Sequence, residues 1–223
     1  MWNVILDDDK KIGYIPIPKV ANTSILNAMF KWKGDEVCKA RLDDIPNENL
    51  KVKKDSPSIV HFYQKYLFDN VVRKSFNFQE HFIFSCVRHP VYRFISFYRD
   101  KILRWDPFIA EKLNSLGFFH EMNLDDAVNA LLEADPIDLD HHLMPMSYFL
   151  YENGKLVPDF IFRLEGSQDG WGFVSSLAGI NIPLLAENSS DSQGVKNIQL
   201  SDAQVIKLKE YYKDDMSLFG YNI

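Results

Sequence analysis

Cysteine is nearly absent from this chain, with only Cys38 and Cys86 among 223 residues. So small a number excludes a disulfide framework as the source of stability, and Cys86, inside the apolar run FIFSCV, reads as a buried reduced thiol. Positive charge is also in deficit. With 25 Lys+Arg against 31 Asp+Glu the formal net charge is -6, which argues against nucleic acid as a partner, because general binding needs a basic field to displace counterions. No run of about 18 apolar residues occurs, and the opening MWNVILDDDKK lacks the basic and apolar regions of a secretory signal. The expectation is a soluble, cytoplasmic protein without a transmembrane segment.

What the chain does have is 46% hydrophobic and 14% aromatic residues, enough for one hydrophobic core and a single domain over residues 1–223. IGYIPIP (12–18) reads as a short strand, and TSILNAMFKW from Thr23 has helical spacing with Ile25, Met29 and Trp32 on one side. A second strand, loop and helix follow in HFIFSCV (81–87), with Pro90 opening a helix through VYRFISFYRDKILRW. LDDAVNALLEA (124–134) is amphipathic, PDFIFRLEG (158–166) reads as a third strand, and a C-terminal helix begins after Ser201 as N-cap with Val205, Leu208 and Tyr212 inward. Residues 33–58 are polar and proline-punctuated, an excursion over the surface. Strands alternating with helices predict the α/β class with a parallel sheet.

Chemistry is suggested first by PKVANTS, residues 18–24. In an open α/β sheet, anions gather at strand carboxyl ends, where a helix N-terminus offers unpaired N–H groups. The N–H groups from Val20 through Ala21, Asn22 and Thr23 to Ser24, two hydroxyls and the Lys19 ammonium suit a phosphate-like group. The stretch is not the G-x-x-x-x-G-K-[ST] loop of magnesium-dependent nucleotide enzymes, since Lys19 precedes the turn and no glycine is present. The second element is Arg88, whose planar fork suits a phosphate monoester, with Ser96 about two helical turns further on. Arg93 and Arg99 read as surface ion-pair residues. Of six histidines, His61, His81, His89 and His120 read as structural, whereas His141 and His142 fall in the loop DLDHHLMPMSYF. No Cys or Glu stands near them at a ligand spacing, so no metal is expected. A histidine of ordinary pKa, near 6.5, suits proton abstraction at neutral pH.

PKVANTS resembles the 5′-phosphosulfate-binding loop of sulfotransferases that use 3′-phosphoadenosine 5′-phosphosulfate (PAPS), with Asn22 where that family often has Gly or Cys. Asn tolerates a left-handed backbone there. VRHPVYRFISFYRDK is similar to the 3′-phosphate motif of the membrane-type carbohydrate sulfotransferase group, V-R-[DEH]-P-x-x-R-x-x-S-x-[YF]-R-[DN]-K, and matches at nearly every position. The resemblance assigns Arg88 and Ser96 to the donor's 3′-phosphate. DHHLMPM resembles D-x-H-[WF]-x-P-Q, which carries the family's proposed general base. Aligned on Pro145 that base is His142, with His141 the alternative, and Leu143 and Met146 depart from the pattern. Further on, PDFIFRLEG, NSSDS and YYKDDMSLFGY resemble later family segments, and Arg163 and Glu165 line the crevice or pair with each other. The paired cysteines of secreted relatives are missing.

The resemblance implies a P-loop-like three-layer sandwich, with a central mainly parallel sheet flanked by helices, that moves a sulfuryl group from PAPS to a carbohydrate hydroxyl by direct in-line transfer. Lys19 and His142 would be catalytic. The competing readings are an ATP-dependent small-molecule kinase and a nucleotide- or glycan-binding module without catalysis. The acceptor's identity and the oligomeric state are not encoded in any motif. Lys19→Ala and His142→Ala should each cut turnover by about 100-fold or more with folding intact, and Arg88→Ala should mainly weaken donor binding, as steady-state kinetics on folded variants would reveal.

Overall fold

The computed structural model describes residues 3–7, 9–33, 70–73, 80–105, 107, 109–184 and 198–222. The surface excursion at 34–58, His61, Cys38 and the NSSDS segment lie outside the described residues. In chain order the elements are β1 (Asn3–Asp7), β2 (Ile12–Ile15), α1 (Asn22–Lys33), β3 (Asn70–Arg73), β4 (Phe82–Val87) and α2 (Pro90–Phe97), followed by a π-helical turn (Tyr98–Leu103). Then come α3 (Ala110–Ser115), α4 (Leu124–Glu133), α5 (Ser147–Leu150), the small ribbon β5 (Tyr151–Glu152) and β6 (Lys155–Leu156), β7 (Phe160–Arg163), α6 (Ser167–Leu177), α7 (Asp202–Tyr211) and α8 (Lys213–Leu218). The chain is of the α/β class. It divides into two interleaved units, the first from Met1–Pro16, Ala21–Cys86 and Glu152–Glu187, the second from Ile17–Val20, Val87–Tyr151 and Asn188–Ile223.

The first unit is built on a mixed five-stranded sheet of order β3-β1-β2-β4-β7. β2 and β4 run parallel, Tyr14 opposite Phe84, and both are buried nearly throughout, as the absence of polar alternation in IGYI and FIFSCV requires. β1 pairs antiparallel with both β2 and β3. The turn after β1 is set by Asp7, fully buried, whose Oδ1 accepts from the backbone N–H groups of Asp9 and Lys10 and whose Oδ2 accepts from Trp32 Nε1 at 2.9 Å. Trp32 of α1 stacks on Trp171 of α6 at 6.0 Å between ring centroids, and Trp171 meets Phe84 edge-on. α6 lies so close to β7 that a Cβ at Gly170 would collide with the Phe162 ring. This aromatic layer closes the sheet's face.

In the second unit Pro90 opens α2, and His89 caps it by accepting the Val91 N–H at Nδ1, a structural use of that histidine. The helix does not continue regularly to Trp105 as its sequence predicts. After Phe97 it widens into the π-helical turn, where Tyr98 donates to the Met122 carbonyl at 2.7 Å. α7 begins with the predicted Ser201 cap, completed by Gln204 as a capping box, and Gln204 Nε2 donates to Asp125 Oδ1 of α4 at 2.7 Å. The C-terminal helix is also broken, at Tyr212. That break buries Tyr212 and Asp215 together: Tyr212 donates its hydroxyl to the Leu143 carbonyl, and Asp215 accepts from Met146 N and Ser147 N at 2.6 and 2.9 Å. Asp215 therefore caps the first turn of α5 from another helix. Trp171→Ala, which empties the middle of the aromatic layer, should cost about 3–5 kcal/mol, measurable as a lower urea midpoint.

Candidate functional site

The loop from β2 to α1 holds two non-glycine residues in the left-handed region, Lys19 at φ 69° and Ala21 at φ 62°. Asn22 was the residue expected to take that conformation; instead it is the first residue of α1, with Tyr14 donating its hydroxyl to Asn22 Oδ1 at 3.1 Å. Within the first unit Ile25 N closes the opening α1 turn on the Ala21 carbonyl at 3.0 Å. Ser24 is buried, Ala21 and Thr23 half-buried. Left-handed backbone at Lys and Ala is unfavourable by roughly 1–3 kcal/mol each and persists only where neighbours impose it.

In the second unit the imposing neighbours are two arginines. Arg88 Nη1 donates to the Lys19 carbonyl at 3.3 Å. Arg93 is 2% exposed and spends its whole fork on backbone: Nε donates to the Pro18 carbonyl at 3.0 Å, Nη1 to Met144 at 2.7 Å and Nη2 to His141 at 3.1 Å. The expectation of a surface ion pair for Arg93 is thus overturned. The sequence carried the signal, because Arg93 shares the helical face of Pro90, Phe94 and Phe97, all buried.

Lys19 itself is no surface lysine. Its side chain is 13% exposed and its ammonium forms an ion pair with Asp100 Oδ2. Lys101, buried too, reaches the same carboxylate oxygen at 3.3 Å. Burial lowers the Lys19 pKa to about 8, with Asp100 opposing the shift and Lys101 and Arg104 adding to it. Burial alone would raise Asp100, but the two lysines overturn this and hold it at about 2. Ser96 lies half-buried near the end of α2.

His142 is fixed by its neighbour Asp140, a partner the sequence reading gave no role although it stands in the D-x-H pattern. Asp140 Oδ1 lies 2.6 Å from His142 Nδ1 and also accepts the His142 N–H at 2.9 Å. Burial would raise the Asp140 pKa, but hydrogen bonds from His141 and His142 pull it far below the usual carboxylate range. An ionised carboxylate only accepts, so Nδ1 carries the proton and Nε2 presents its lone pair. Burial lowers the His142 pKa to about 3, and the Lys19 charge adds to the lowering. His142 is therefore neutral at every ordinary pH, and the expected titration near 6.5 does not apply to it. His141 is looser, its side chain 45% exposed and its Nδ1 3.4 Å from Asp140 Oδ2. Ligand atoms of Asp140, His141 and His142 lie within 4.8 Å of one another.

The second unit thus brings together a buried lysine, the arginine after β4 and an oriented neutral imidazole, an arrangement for receiving an anionic group and accepting a proton. Arg163 and Glu165, in the first unit, are both exposed. The chain matches the sulfotransferase family over residues 2–222, essentially its whole length. No curated protein and no solved structure matches it. The chain belongs to the sulfotransferase family and is by that membership a transferase acting with a sulfonate donor. Among the described residues no helix is long and apolar enough to cross a membrane.

Arg93→Met should destabilise the protein by at least about 3 kcal/mol, because three backbone carbonyls, that of Met144 buried, lose their donor. Arg93→Lys should recover little of this, lacking the planar fork; thermal melts of both variants make the comparison.

Proposed function

We propose that the protein transfers the sulfuryl group of PAPS to a hydroxyl of a carbohydrate acceptor. The observation that carries the reading is the joint placement, in one unit, of Lys19, Arg88 and the Asp140-bound His142. Arg88 and Ser96 take the donor's 3′-phosphate, which ATP lacks. Lys19, with the N–H group of Val20 beside it, receives the 5′-phosphosulfate.

The acceptor oxygen attacks sulfur in line with the bridging oxygen of the 5′-phosphate. As the new S–O bond forms, the acceptor hydroxyl becomes acidic and its proton passes to His142 Nε2. A neutral base of low pKa suffices because the proton leaves late, and Asp140 stabilises the imidazolium as it forms. The old S–O bond breaks with its electron pair on the 5′-phosphate oxygen, where the Lys19 ammonium stabilises the developing charge. The cytoplasm, where the chain's two cysteines would stay reduced, is the compartment this reading assigns.

Calorimetric titration with 3′-phosphoadenosine 5′-phosphate, ADP and magnesium-ATP tests the donor. Selective binding of the 3′-phosphorylated nucleotide, lost in Arg88→Ala, is expected; preference for magnesium-ATP would replace the reading with a kinase, and donor binding without transfer to any sugar would replace it with a binding module. The pH profile gives a second test. The active Lys19 is protonated and the active His142 neutral, so kcat/KM should stay flat from about pH 5 to 7.5 and fall as pH rises through about 8. Loss of rate below pH 6.5 in step with an ordinary histidine would overturn the lowered pKa of His142, and an unchanged rate in folded His142→Ala would remove His142 from the role. Transfer should also survive chelation by EDTA.

A further inference from the structure

The π-helical turn at Tyr98–Leu103 brings two consecutive residues of opposite charge, Asp100 and Lys101, onto one point. Lys101 Nζ and Lys19 Nζ both meet Asp100 Oδ2. The two lysine side chains are 13% and 7% exposed, while that of Asp100 keeps 36% of its surface in solvent. Two buried ammonium groups thus share one carboxylate, and that carboxylate is the most solvent-accessible of the three. An arriving anion meets Asp100 as its competitor for Lys19.

We propose that Asp100 is the positioning residue of Lys19: it holds the buried ammonium charged and aimed until a donor phosphate takes its place, and Lys101 then keeps the released carboxylate paired. The proposal rests on the donor reading given above and adds to it a residue to which that mechanism gives no part. Three features support it. A buried ammonium without a counter-charge loses its proton, and among the described residues acting on Lys19 only Asp100 favours the charged form. Among the described residues the remaining groups facing this site are Lys101 and Arg104 from the π-helical turn and its end, Arg88 on the Lys19 carbonyl, and neutral His142 from the loop before α5, with the Asp140 carboxylate bonded to its Nδ1. Finally, Lys101 gives Asp100 a second partner already in place, so release of Lys19 leaves no buried charge unpaired. The trio carries a net charge of about +1 when both lysines are protonated, the sign an anion requires.

The experiment is competitive labelling of the lysines with acetic anhydride across pH, read by mass spectrometry, on the full chain. In Asp100→Asn the labelling midpoint of Lys19 should fall by at least about one pH unit. In Lys101→Gln, which removes a repelling cation and serves if Asp100→Asn does not fold, it should rise. Asp100→Glu should restore most of the wild-type midpoint. An unmoved Lys19 midpoint in the Asn and Gln variants overturns the proposal.

The exchange is tested by 3′-phosphoadenosine 5′-phosphate affinity at two pH values. At pH 6, where Lys19 stays protonated, Asp100→Asn should bind severalfold more tightly, having no carboxylate to displace; at pH 8.5 it should bind more weakly than wild type, having lost the charge. Equal weakening at both pH values overturns the exchange and marks Asp100 as merely structural. Should wild type fail to bind the nucleotide at all, the donor reading falls, while the labelling midpoints still decide whether Asp100 governs Lys19.

Discussion

A single buried guanidinium, bonded to backbone carbonyls, organises the second unit. Arg93 is buried in α2 and gives its three nitrogens to the carbonyls of Pro18, His141 and Met144. A charge removed from water this completely is tolerated only when each donor is satisfied, and here satisfaction comes from two loops at once. The loop bearing Lys19 and the loop bearing His142 are therefore pinned to one rigid planar group on a helix. The geometry of that fork constrains their mutual position. Asp215 and Tyr212 secure the far end of the histidine loop, at Met146, Ser147 and Leu143. His142 sits between two anchors.

This arrangement explains how the turn between β2 and α1 can be made without glycine. Two residues in it, Lys19 and Ala21, adopt left-handed backbone, which side chains disfavour. At Lys19 the strain is sustained because the carbonyls of Pro18 and Lys19 are held by Arg93 and Arg88. In a glycine-rich loop the backbone is free to take the required conformation; here tertiary hydrogen bonds compel it. Such a loop is preorganised, so little ordering would remain to be done on binding a ligand.

The fold was legible where the pattern was local. FIFSCV and IGYI are continuous apolar runs, and Pro90 and Ser201 are start signals that act within one turn, so these strands and helix starts fell where expected. β1 was missed because VIL is only three apolar residues long, and what makes it a strand is pairing on both sides, with β2 and β3. The π-helical turn and the break at Tyr212 were illegible for the same reason: each exists to satisfy a group distant in sequence, the Met122 carbonyl in one case and the Leu143 carbonyl in the other. For the candidate site, motif resemblance singled out Lys19, Arg88 and His142, which lie in one unit. It did not show that Arg93 is buried, that Asp140 sets the His142 tautomer, or that Asp100 meets Lys19, because ion pairs and burial depend on which segments meet in space.

The interleaving of the two units bears on how the protein comes into being. Ile17–Val20 belongs with residues that follow some 70 positions later, and the second unit also draws on the segment after Asn188. While the chain is leaving the ribosome, the early strands already have partners among themselves, but the histidine loop must wait for Tyr212 and Asp215 before its anchors exist. Long sequence separations of this kind slow folding and lengthen the time that apolar surface stays uncovered. A polypeptide stopped short of the last helices therefore exposes Leu143, Met146 and Phe149, all buried in the finished unit, and offers chaperones and proteases a recognisable target.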